Sequence, residues 1–89
     1  MAKVFFTPQL RRFLDVPSRT VPAGSVRGAL EAVFEENPRL KSYILDDQER
    51  LRKHVVIFVD GALISDRSRL TDGVTAGSEI HVLQALSGG

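Results

Sequence analysis

At 89 residues the chain is the size of one small domain, with no room for a second, catalytic one. Twelve Lys and Arg against eleven Asp and Glu leave a net charge of +1, far from the concentrated positive field that DNA or RNA requires, so nucleic acid is excluded as a natural partner. With no cysteine, disulfide scaffolds and thiolate zinc sites are excluded too, while 43% hydrophobic and 26% charged residues describe a globular chain that helix-on-sheet packing must stabilise.

Val4, Phe5 and Phe6, between Lys3 and Pro8, read as a short buried strand. Residues 8–17 are bounded by prolines and read as a loop anchored by Phe13 and Leu14; residues 18–21 follow as a weakly signalled strand that ends at Pro22, Ala23 and Gly24. The clearest element starts at Ser25, whose hydroxyl can cap the next turn. Val26, Ala29, Leu30, Val33 and Phe34 then recur on one helical stripe, until Asn37-Pro38 stops the helix. Gly28 stands where a capping box would place Glu, which weakens the start. Residues 38–45 add a short second helical turn with Leu40, Tyr43 and Ile44 inward, and residues 46–50 form a polar turn.

Residues 54–59 are the strongest strand, ended by Asp60-Gly61, a dipeptide preferred in tight hairpins, and residues 62–64 form the return strand. Leu70 anchors the next loop, Asp72-Gly73 and Gly77-Ser78 mark turns, and residues 79–83 are the final strand. Alternation sends Val55, Ile57 and Val59 to one side and Val56 and Phe58 to the other; Ile80 and Val82 alternate likewise with His81 and Leu83. A single helix covers one face only. If it lies over Ile57 and Ile80, then Val56, Phe58 and Leu83, with Ala85 beyond them, form an apolar patch of the kind that meets a partner, unless residues 8–17 or 40–45 fold across it.

Catalytic machinery is absent from the pattern. His54 and His81 fall in separate predicted strands without metal-ligand spacing, no phosphate loop, dinucleotide fingerprint or nucleophile elbow occurs, and Asp46, Asp47 and Glu49 read as a solvated turn. The expectation is a protein that is not an enzyme, has no catalytic side chain and binds neither metal nor cofactor. No apolar run approaches the roughly eighteen residues of a membrane span, and residues 1–7 are too short for a secretory signal, so the expected compartment is the cytoplasm.

The unusual feature is the end, Ala85, Leu86, Ser87, Gly88 and Gly89. Two glycines close a chain by chance about once in two hundred sequences. Residues 85–89, extended, reach roughly 16 to 18 Å, and glycines without a Cβ thread a narrow channel. The expected division is therefore a domain over residues 1–84 and a flexible tail over 85–89, with the Gly89 carboxylate as the reactive group.

The segment H-V-V-I-F-V-D-G, the stretch L-T-D-G-V-T-A-G-S-E-I-H-V and the closing L-S-G-G together resemble the ubiquitin-like sulfur carriers of the ThiS/MoaD family. The resemblance spans nearly the whole chain, is weakest over residues 8–22, and in length is nearer the molybdopterin and cysteine-synthesis carriers than the thiamine ones. It implies an α+β, ubiquitin-like β-grasp fold: a mixed sheet with one main helix packed on one face. It also implies a cycle run by partners. A ubiquitin-activating-like adenylyltransferase would dock on Val56, Phe58 and Leu83 and use MgATP to adenylate Gly89, a sulfur donor protein or sulfide would convert the acyl-adenylate to a thiocarboxylate, and a sulfur-accepting synthase would take the sulfur for cysteine, molybdopterin, thiamine or a thio-natural product. Two other readings stand beside it: a ubiquitin-like modifier joined through Gly89 to target lysines, and a plain interaction module whose glycines are incidental.

Overall fold

In a computed structural model of the chain, residues 1–6 and 18–84 are described. Strands β1 (Ala2–Phe6), β2 (Ser18–Val21) and β3 (Gly24–Ser25) precede helices α1 (Val26–Glu36) and α2 (Pro38–Ile44). Strands β4 (Val55–Val59), β5 (Ala62–Leu63), β6 (Gly73–Val74) and β7 (Glu79–Gln84) follow. Five strands form one sheet in the order β2-β1-β7-β4-β5, and β3 and β6 form a separate two-stranded ladder. The first and last strands meet at the centre, where β1 and β7 run parallel with Val4 opposite Ile80 and Phe6 opposite Val82; the other pairs of the large sheet are antiparallel. A mixed sheet with a long helix across one face is the β-grasp architecture expected from the resemblance.

The helix starts and stops where its sequence requires. The Ser25 Oγ accepts the Gly28 N–H at 3.1 Å, satisfying one amide that the first turn leaves free. At the other end the Asn37 N–H closes on the Val33 carbonyl, and Pro38 opens α2 at a first-turn position where its missing N–H costs nothing. Val26, Ala29, Leu30, Val33 and Phe34 are all buried, joined by Leu40, Ile44, Leu45 and Leu51. These meet Ala2, Val4, Phe6, Val21, Val55, Ile57, Ile80 and Val82 from the sheet in one cluster. Asp60 and Gly61 both have positive φ, 52° and 85°, as a type I′ hairpin demands. The Asp60 carboxylate also accepts the Glu79 N–H and the hydroxyl of the buried Ser78, tying the hairpin to β7.

Four expectations are corrected. The second helical turn is a seven-residue helix, and Tyr43 stands 39% exposed at its rim while Leu40 and Ile44 fill the core. His54 lies in the turn before β4, not within the strand, because the Val55 N–H reaches back to the Arg52 carbonyl. Phe5 is half-buried on the side of β1 opposite Val4 and Phe6, since period-two alternation divides even an all-apolar run. Residues 40–45 belong to the helix-side core, so they do not cover the other face of the sheet. The anchoring of residues 8–17 by Phe13 and Leu14, and the tail over 85–89, lie outside the described residues.

Between β5 and β6 the chain is shaped by two carboxylates. Asp72 accepts the N–H groups of Ser65 and Asp66, and Asp66 accepts those of Ser68 and Arg69 and the Thr71 hydroxyl. This cage holds Leu70 at φ 58°, a conformation costly for a side chain with a Cβ, and it delivers that side chain fully buried into the core. The Arg69 N–H, then the Thr71 hydroxyl, hold the Asp66 carboxyl down to about 2 from its ordinary 3.8. A depressed folded-state pKa contributes stability that is fully present above the ordinary value and lost as pH falls through the folded one. Asp66→Asn is therefore expected to lower the thermal midpoint at neutral pH, with the gap to the native protein closing between about pH 4 and pH 2 in melts followed by circular dichroism.

Candidate functional site

The sheet face away from the helices is built by register. Phe5 of β1 lies opposite His81 of β7, His81 opposite Phe58 of β4, and Phe58 opposite Leu63 of β5, so these four side chains form one row across four strands. Directly paired residues project to the same side, which makes the row continuous. The Phe5 and His81 rings stack with centroids 4.8 Å apart and planes 12° from parallel. In the next row Val56 pairs with Leu83, and in the row on the other side Lys3 pairs with Glu79, placing opposite charges at the edge of the apolar strip. Val56, Phe58, Leu83, Phe5 and His81 are half-buried, and Leu63 is 57% exposed.

The three residues expected to meet a partner, Val56, Phe58 and Leu83, thus share one face, on the opposite side from fully buried Val55 and Ile57. Phe5, His81 and Leu63 extend it; alternation sets His81 on the side of Leu83 in the sequence, whereas it leaves Phe5 and Leu63 unassigned. Period two was the available signal for Phe5 and His81, but it gains meaning only with the pairing of β1, β7 and β4.

The root of the tail adjoins this face. Gln84 is the last residue of β7, pairs with Val55, and follows Leu83 directly. On its other flank is the turn over residues 52–55. Its Arg52 carbonyl receives the Val55 N–H at 3.1 Å and the Arg67 guanidinium at 2.7 Å, and the Arg52 Nε donates to the Ser42 carbonyl at 2.8 Å. Lys53 at the tip is exposed and His54 is half-buried. Asp46 lines the same cleft. The Arg50 N–H, assisted by that of Gln48 and the charges of Arg50 and Arg52, holds its carboxyl below the ordinary range despite partial desolvation. Ala85, Leu86, Ser87, Gly88 and Gly89 lie outside the described residues. Among the described residues no three His, Asp or Glu side chains gather as a metal site, and no helix is long and apolar enough to cross a membrane.

The architecture is that of a class of small β-grasp proteins. The chain superimposes with a TM-score of 0.83 on SAMP1 from Haloferax volcanii, at 22% identity over 99% of this chain and 98% of that one. It matches a chain of the Amycolatopsis orientalis BexX/CysO complex with a TM-score of 0.86 at 19% identity over the whole of both, and CysO of Mycobacterium tuberculosis with 0.84 at 15% over 97% and 100%. At these identities the likeness establishes the fold. No protein-family profile and no curated protein sequence matches the chain.

Proposed function

We propose that the protein is a sulfur carrier of the ThiS/MoaD kind, which acts as a substrate of other enzymes rather than as an enzyme itself. The observation that carries this reading is the continuity of the apolar outer face with the tail root: Val56 and Leu83 pair in the row next to Gln84, the residue that leads into 85–89. A partner seated on the Phe58 face is thereby positioned to receive the tail. End-to-end likeness of the fold to CysO, including a CysO held in a complex, supports it.

The chemistry follows from the terminus. A carboxylate is a poor electrophile at neutral pH, so its oxygen attacks the α-phosphorus of MgATP, pyrophosphate leaves, and Gly89 becomes a mixed anhydride with AMP. Sulfide attacks the anhydride carbonyl and expels AMP to give the thiocarboxylate; a persulfide donor gives an acyl disulfide that a second thiol cleaves to the same product. The partner adenylyltransferase supplies the MgATP site and stabilises the developing charge. This chain supplies the docking face, a tail of roughly 16 to 18 Å, and no cysteine to capture the activated carbonyl. A sulfur-accepting synthase then takes the sulfur and returns the carboxylate.

The archaeal neighbour described as small archaeal modifier protein 1, from Methanosarcina acetivorans, matches with a TM-score of 0.84 at 23% identity and supports a second reading, conjugation of activated Gly89 to lysine amines. Both readings share the adenylation step. The test is pyrophosphate exchange with MgATP and the ubiquitin-activating-like adenylyltransferase of the source cell. Exchange that depends on this protein supports both, and its absence removes both.

A further inference from the structure

We infer that the turn over residues 52–55 is an electrostatic collar, which docks the tail root against a carboxylate-bearing rim around the channel that takes residues 85–89. The inference rests on the proposed function and adds the charge of the partner surface. Pairing of Val55 with Gln84 puts Lys53 and His54 beside the point where the chain leaves β7. Any protein that engulfs the tail up to its root meets this turn first.

The turn is fixed in advance. Its carbonyl at Arg52 is clamped by Arg67, and the Arg52 side chain is held on Ser42, so Lys53 is presented from a rigid support at little entropic cost. The cleft at the turn is locally positive although the whole chain is nearly neutral: Arg52 and Lys53, with Arg67 on the Arg52 carbonyl, meet there the carboxylate of Asp46, whose oxygen already accepts the Gln48 and Arg50 N–H groups. Asp47 and Glu49 line the adjoining cleft beyond Arg52, and Glu49 is engaged by Arg27 and Lys41. A partner surface closing over Lys53 strips water from an ammonium group, and an apolar or basic rim leaves that loss uncompensated. Carboxylates on the rim offset it and also steer the encounter.

Distance separates docking from chemistry. The reacting carboxyl lies up to roughly 16 to 18 Å from the root, about two Debye lengths at physiological salt, so the charge on Lys53 should change encounter and leave turnover alone. Adenylation by the source cell's ubiquitin-activating-like adenylyltransferase is measured for the native protein, Lys53→Glu and Lys53→Arg at about 0.05 M and about 0.5 M salt. The expected result is a KM raised roughly three- to tenfold in Lys53→Glu at low salt, merging with the native value at high salt, with kcat and the thermal midpoint unchanged and Lys53→Arg behaving as native. Should Lys53→Glu lose its fold, Lys53→Gln is read instead, with a smaller rise in the same direction. An unchanged KM at low salt, or a loss confined to kcat, overturns the collar while the carrier reading stands. No adenylation of the native protein overturns both.

Discussion

Deletion of Gly89 is expected to abolish adenylation while leaving the thermal midpoint within roughly 1 °C of the native protein. The reason is geometric. Removing one residue draws the terminal carboxyl back by about 3.5 Å, and a misplacement of about 1 Å already costs around a hundredfold in an oriented reaction. A loss of at least about a thousandfold in pyrophosphate exchange is therefore expected. Stability is untouched because a terminal glycine brings no side chain to a core whose described residues run from Ala2 to Val82. Restoring Gly89 restores exchange. A truncated protein that exchanges pyrophosphate at the native rate contradicts the account.

Substitution of Phe58 by Asp is the second large effect. Phe58 sits at the centre of the outer row, between His81 and Leu63, so a carboxylate there opposes any apolar partner and should raise KM by more than about tenfold. The domain should remain folded, since the new charge is reached by water from that face. The neighbouring change Ile57→Asp supplies the contrast: Ile57 is fully buried in the core that the helices share with the sheet, and an unpaired charge there costs several kcal/mol, enough to unfold a small domain. Urea unfolding of the two variants beside their adenylation kinetics separates the faces. If Phe58→Asp unfolds as Ile57→Asp does, the outer row is core and the docking face lies elsewhere.

These two residues also show what the amino-acid sequence makes legible. Period-two alternation in residues 54–59 separates Ile57 from Phe58 without any structure, the stripe from Val26 to Phe34 marks α1, and Asp60-Gly61 marks its hairpin. Local chemistry suffices for each. By contrast, β3 and β6 are two residues long, too short to carry a period, and they exist because Gly24 and Ser25 are brought opposite Val74 and Gly73. Phe5 joins the site only through the parallel pairing of β1 with β7, which links the first strand to the last. Lys53 was hidden differently: a net charge of +1 averages away a turn that concentrates positive charge at the one place where the tail begins.

The central claim is that the last carbonyl carbon of the chain carries sulfur. It is tested most directly by intact mass spectrometry of the protein isolated from its native cells under conditions that preserve thioacids, with fragmentation to locate the change. The account predicts a population heavier by the replacement of one oxygen by sulfur, confined to Gly89 and shifted further in mass when an alkylating thiol reagent caps that sulfur. A terminus that is carboxylate alone, in cells also producing the adenylyltransferase and its sulfur donor, contradicts it, and Gly-Gly remnants on target lysines in that same sample would assign the activated terminus to conjugation.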